Sequence, residues 1–116
     1  MKKVIPVPSS LLLANKKSGV DLPLGSAKIN EFFDECRENH IDPLEQRDIS
    51  GASSILINAV ISGNMDAIQV CLERIKSLEN RDDWLNITSI YGGPLYIAAQ
   101  SKNPELVAAL IDFGFD

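Results

Sequence analysis

Two stretches of the chain carry the same sequence of apolar and polar positions, 39 residues apart and without a gap. Leu56, Ala59, Ile68, Cys71 and Leu72 of the first fall on Leu95, Ala98, Val107, Leu110 and Ile111 of the second. The polar positions keep the same phase, with Ser62 on Ser101, Asn64 on Asn103 and Asp66 on Glu105. Chance rarely preserves both the apolar spacing and the turn chemistry, so the stretches read as copies of one unit. Within each, apolar residues recur at helical spacing on either side of a short polar break, which predicts two short helices joined by a tight turn. Gly93 and Pro94 open the first helix of the later copy. Proline at the first helical position breaks no bond, because that N–H lacks an intrahelical partner anyway. Asn103 is placed to cap the second helix, with Pro104 at its start and Glu105 in the first turn, where the helix dipole favours negative charge. In the earlier copy Gly63 supplies the turn and Asn64 the cap.

A weaker third copy lies upstream. Ile29, Phe32, Phe33 and Cys36 stand at i, i+3, i+4 and i+7 and predict an amphipathic helix over residues 27–39, with Ser26 as its cap. Cys36 precedes Cys71 by 35 residues and Cys71 precedes Leu110 by 39, so this helix runs in phase with the second helices of the other units. Its partner is expected over residues 9–14, with residues 19–25, including Pro23, as a long turn. Helices this short are not stable alone. Stacked side by side they bury both faces, each pair leaning on its neighbours.

These residues resemble the ankyrin repeat, whose pattern is a T-P-L-H-x-A opening, a glycine turn, a V-x-x-L-L second helix and a G-A-D close. Pro94, Leu95, Ala98, Ala99, Asn103, Val107, Leu110, Ile111, Gly114 and Asp116 match it in the last unit, and Leu56, Ala59, Gly63, Asn64, Ile68 and Leu72 in the middle one. Asn39, His40, Ile41, Asp42 and Pro43 look like the close of a preceding repeat. The resemblance implies an all-α, ankyrin-like solenoid of stacked helix-turn-helix repeats with short β-turn loops, in a single domain. Its parts would be an N-terminal arm (1–8), a divergent capping repeat (9–47), a repeat with an extended second helix and loop (48–86) and an uncapped last repeat (87–116). Several positions depart from the family. Ser54 and Gly93 stand for threonine, and Ile57 and Tyr96 for histidine, which is expected to loosen the loops. Lys102 stands for the turn glycine, a left-handed position where a side chain is strained. The middle unit is 39 residues long where the family runs to 33, with the extra residues between Ile75 and Thr88. Its second helix is expected to run on, to about Leu78. Leu110, Ile111, Phe113 and Phe115 are expected to lack cover, as in a fragment of a longer repeat protein or a chain that self-associates through this end.

Composition narrows the function. In 116 residues, 11 basic against 16 acidic side chains give a net charge of −5, which argues against nucleic acid and membrane partners. The apolar start after Lys2 and Lys3 is broken by Pro6, Pro8, Ser9 and Ser10, unlike a signal peptide. Asn86, Ile87 and Thr88 match a glycosylation sequon but read as an ordinary loop. Cys36 and His40 share a helix face, yet without a third group they read as a core thiol and a solvated helix end rather than a nucleophile pair. Cys36 and Cys71, at one position on adjacent helices about 8–10 Å apart, are too distant for a disulfide and are expected to be free and buried. That points to the cytoplasm, or to a host cytosol if the chain is a bacterial effector. Asp34 with Glu35, and Asp82 with Asp83, lack calcium-loop spacing. Gly92 and Gly93 form a turn without a phosphate-loop pattern. No catalytic residue, metal site or cofactor is expected.

The resemblance implies a protein-protein interaction module, not an enzyme, gripping a partner protein by the concave face of turn tips and first helices. Carried onto this sequence, that face comprises Ser50, Ser53, Ile61, Ser62, Ser89, Ile90, Tyr91, Gln100 and Ser101, with Ile61, Ile90 and Tyr91 as apolar anchors. Trp84 is a further candidate, since tryptophan is enriched at binding hot spots; the alternative is that it folds back over the lengthened helix. An alternative function is the recognition part of a larger enzyme or secreted effector whose catalytic region lies outside these residues.

Overall fold

The structure, a computed structural model, describes residue 7 and residues 22–46, 54–87 and 92–115, without the side chains of 22–25 and 62. Five α-helices are present among them: α1 (Leu22–Glu38), α2 (Ile55–Ser62), α3 (Met65–Lys76), α4 (Pro94–Ser101) and α5 (Pro104–Phe113). Two 3-10 turns, Pro43–Glu45 and Arg81–Asn86, follow α1 and α3. The fold is all-α, with no strand among the described residues.

The ends of the helices follow from local chemistry. Asn64 accepts from the Ala67 N–H at 3.2 Å and Asn103 from the Leu106 N–H at 3.3 Å, so the matched asparagines cap α3 and α5 alike. Ser54 Oγ accepts from the Ile57 N–H at 3.5 Å, and the Asn58 side chain donates to the Ser54 carbonyl at 3.0 Å, so this helix start keeps its hydrogen bonds without threonine. Gly93 gives α4 no side-chain cap. Gly63 and Lys102 close α2 and α4 in the left-handed region, at φ 69° and 59°. The lysine therefore takes the strained place expected of it.

α1 begins at Leu22, earlier than expected, and Ser26 lies inside the helix rather than at its cap. Pro23 falls in the first turn, where a missing N–H costs no bond, so it starts the helix instead of breaking a turn. The expected partner helix over residues 9–14 lies outside the described residues. Val7, assigned to the arm, is buried in the core at 4% exposure.

α1 and α5 end in the same motif. The Ile41 N–H donates to the Cys36 carbonyl at 2.9 Å and the His40 N–H to Arg37 at 3.2 Å; Phe115 donates to Leu110 at 3.0 Å and Gly114 to Ile111 at 3.0 Å. This is the Schellman pattern, with His40 (φ 56°) and Gly114 (φ 132°) at the positive-φ position. Cys36 and Leu110 thus hold one structural position, which puts α1 in phase with the second helices.

α2 with α3, and α4 with α5, form two helical hairpins. α2 packs on α4, α3 on α5, and α1 lies along α3. One layer is therefore α2 and α4, and the other is α1, α3 and α5. Ile29, Phe33, Cys36, Leu56, Ala59, Ile68, Cys71, Ile75, Leu106 and Leu110 belong to one continuous buried core. Arg74 clamps α3 to α1: it donates to Asn30 Oδ1 at 2.9 Å and Asp34 Oδ1 at 2.7 Å, and its guanidinium lies 5.4 Å from the Phe33 ring centroid.

The residues after α3 do more than lengthen a loop. α3 stops at Lys76, slightly short of the expected Leu78, and Asn80 then donates to the Asp42 carboxylate at 3.1 and 3.2 Å, joining two successive loops. The 3-10 turn brings Trp84 to 0% exposure, with its ring 6.3 Å from Phe33. Arg81 stacks over Phe113 at 5.5 Å, and Leu85 lies where a Cβ on Gly114 would meet it at 3.6 Å. This segment corrects the expected lack of cover at the end of α5. Leu110, Phe113 and Phe115 are buried, the two phenylalanines stacked 5.7 Å apart, and of the four only Ile111 is exposed.

Trp84→Ala is expected to cost about 3–5 kcal/mol by urea denaturation, as for other buried tryptophans. Trp84→Phe should cost clearly less. It keeps a ring against Phe33 and dispenses with an indole N–H that has no acceptor among the described residues.

Candidate protein-binding face

Because α2 and α4 lie side by side in the same phase, their last turns present equivalent residues. Ile61 at the end of α2 is 39% exposed, and Gln100 and Ser101 are exposed at the end of α4. These three expected face residues share one side of the helix pair. Ser50, Ser53, Ser89, Ile90 and Tyr91, together with the side chain of Ser62, lie outside the described residues. Trp84 does not belong to the face, because its indole is wholly buried against the core.

Tyr96 joins the face and was not among the residues expected there. It is 58% exposed, and its Oη accepts from Gln100 Nε2 at 3.0 Å, one helical turn on. Its ring lies over Gly92, where an added Cβ would sit 2.6 Å from Tyr96 Cδ2. Gly92 therefore answers two demands, a φ of 102° and the room for that ring. The signal available in the sequence was the i, i+4 spacing of Tyr96 and Gln100. The comparison with Ile57 hid it, since Ile57 holds the matching place in α2 and is fully buried.

The face differs in character along its length. Among the described side chains α2 is buried from Ile55 through Val60 and opens at Ile61, whereas Tyr96, Ala99, Gln100 and Ser101 of α4 are all exposed. Ser101 donates its hydroxyl to the Ala98 carbonyl at 2.6 Å, so it offers a partner an acceptor. The exposed residues carry no charge. A groove of about 590 Å³ on the opposite layer is mixed in charge, lined by Glu73, Arg74, Lys76 and Asp112 among others.

Cys36 and Cys71 are free and buried. Desolvation first, then the negative charges of Glu35 and Asp42, push the Cys36 thiol up to about 11, and burial raises Cys71 as well. His40 is exposed beyond the end of α1 while Cys36 points into the core, so the two do not form a nucleophile pair. Among the described residues no group of His, Cys, Asp and Glu could hold a metal ion, and no helix is long and apolar enough to cross a membrane. In comparisons with known proteins, no protein-family model, no curated protein and no solved structure matches the chain.

Both thiols are expected to react with DTNB only as fast as the fold opens, and completely after unfolding. Folding raises the Cys36 pKa from 9.0 to about 11, so the unfolded chain releases the proton first. Stability should be untouched by these groups below pH 9.0 and fall as the pH climbs toward 11. Denaturation midpoints measured across that range should lose this slope in the Cys36→Ala, Cys71→Ala variant.

Proposed function

We propose that the chain is an ankyrin-like protein-binding module that holds a partner on the exposed side of its first helices. The observation that carries this reading is the uncharged row of Ile61, Tyr96, Gln100 and Ser101 on two helices stacked in the same phase. A plain solvated helix surface carries charge; this one offers apolar and aromatic area with a hydroxyl and a carboxamide beside it. Such surfaces gain affinity by burying apolar area around a few hydrogen bonds. The two-layer packing and the unit repeat support the ankyrin-like architecture. Two buried free thiols fit a reducing compartment such as the cytoplasm.

Binding should be read with a partner captured on the immobilised chain, identified by mass spectrometry and then purified. Ile61→Asp with Tyr96→Ser should weaken its Kd at least about tenfold, as loss of a hot spot does, while circular dichroism stays helical. Glu73→Gln on the opposite layer should leave the Kd unchanged. Equal binding by the first variant, or equal loss in the second, would refute the assignment of this face.

A further inference from the structure

Tyr96 is an exposed aromatic side chain that the fold holds from two sides. Its ring lies on Gly92, where an added Cβ would come within 2.6 Å of Cδ2, and its Oη accepts from Gln100 Nε2 at 3.0 Å. The ordering that an exposed tyrosine usually undergoes on binding is therefore already met within the fold. The pair also has hydrogen-bonding capacity left over. With an Oη lone pair taken by Gln100, the Tyr96 O–H is free to donate, and Gln100 Oε1 offers an acceptor beside it. Turning the carboxamide over exchanges the two roles and leaves one donor next to one acceptor. Ser101, whose hydroxyl proton goes to Ala98, adds a further acceptor.

We propose that Tyr96 and Gln100 bind one residue of an extended, strand-like segment of the partner through its main chain, Tyr96 donating to that residue's carbonyl and Gln100 accepting from its N–H. This rests on the reading of the α4 side as a binding face and names what that face grips. In an extended segment the N–H and C=O of one residue point to the same side, as in the paired residues of an antiparallel ladder. A donor next to an acceptor is the complement of that arrangement. The acceptors of the row, Gln100 and Ser101, are matched by an N–H without charge. A Lys or Arg head group brought there would lose its water and meet no carboxylate in the row. A helical partner segment does not fit, because its N–H and C=O groups are spent on one another. Main-chain pairing supplies affinity, and the exposed Ile61 can take an apolar side chain that sets preference.

The probe is a library of random short peptides displayed on phage and selected on the immobilised full chain. The best binder is synthesised, and each of its amides is replaced in turn by an ester, which removes one N–H and weakens one carbonyl as acceptor. At one position the ester should weaken Kd by about threefold to tenfold, the worth of one hydrogen bond. Against the Tyr96→Phe, Gln100→Leu variant that same ester should cost nothing further. Both side chains are exposed, so the variant should keep the native circular dichroism. A binder indifferent to esters at every position would overturn the proposal. So would one whose sole requirement is an Asn or Gln side chain, or an ester effect as large in the variant as in the native chain. Undiminished binding by the Ile61→Asp, Tyr96→Ser variant, or no selected peptide at all, would instead count against the face itself.

Discussion

Trp84 is the constraint on which the rest of the structure depends. It stands in the segment after α3, wholly buried, with its ring 6.3 Å from Phe33 of α1. Three residues before it, Arg81 stacks on Phe113 of α5, and one residue after it Leu85 lies against Gly114. One 3-10 turn therefore touches the helices on both sides of α3. Contacts in a stack of helical pairs run only between neighbours. Here the segment adds contacts to α1 and to α5, and it buries aromatic residues that would otherwise face water. A buried aromatic side chain of this size contributes several times what a half-exposed ion pair does. Arg74 and Asp34, 2.7 Å apart and partly exposed, orient α1 on α3 more than they stabilise it.

The helices α2 to α5 were legible in the sequence because their signals are local. Asparagine caps, prolines at helix starts and a glycine or its substitute at each turn act within a few residues, and the repeat reinforced each one. α1 was legible as a helix in the right phase but not in its start. Pro23 and Gly25 look alike whether they break a turn or open a helix, and only tertiary packing decides between these. The covering of Phe113 and Phe115 was not legible at all. It depends on where the turn of residues 81–86 lands, and no local spacing encodes a contact between Arg81 and Phe113.

The same distinction applies to the binding face. Ile61 and Gln100 could be placed from the repeat alone, since equivalent positions on stacked helices share a side. Tyr96 could not, because its counterpart Ile57 is buried and the repeat predicts the same environment for both. Helices in one phase do not have equal exposure: α2 is covered along most of its length while α4 is open. The surface that remains is small, neutral and asymmetric, weighted toward the last hairpin. The proposed binding row therefore draws three of its residues from α4 and one, Ile61, from the end of α2.

Trp84 is the single tryptophan of the chain, so its fluorescence reports the contact that ties the segment after α3 to α1. The most direct measurement is urea unfolding followed at once by Trp84 emission and by far-ultraviolet circular dichroism. The account predicts blue-shifted emission in the native state and coincident transitions, because removing Trp84 from its site and melting the helices are one event. A red shift of the emission at lower urea, with helical signal still intact, would contradict it.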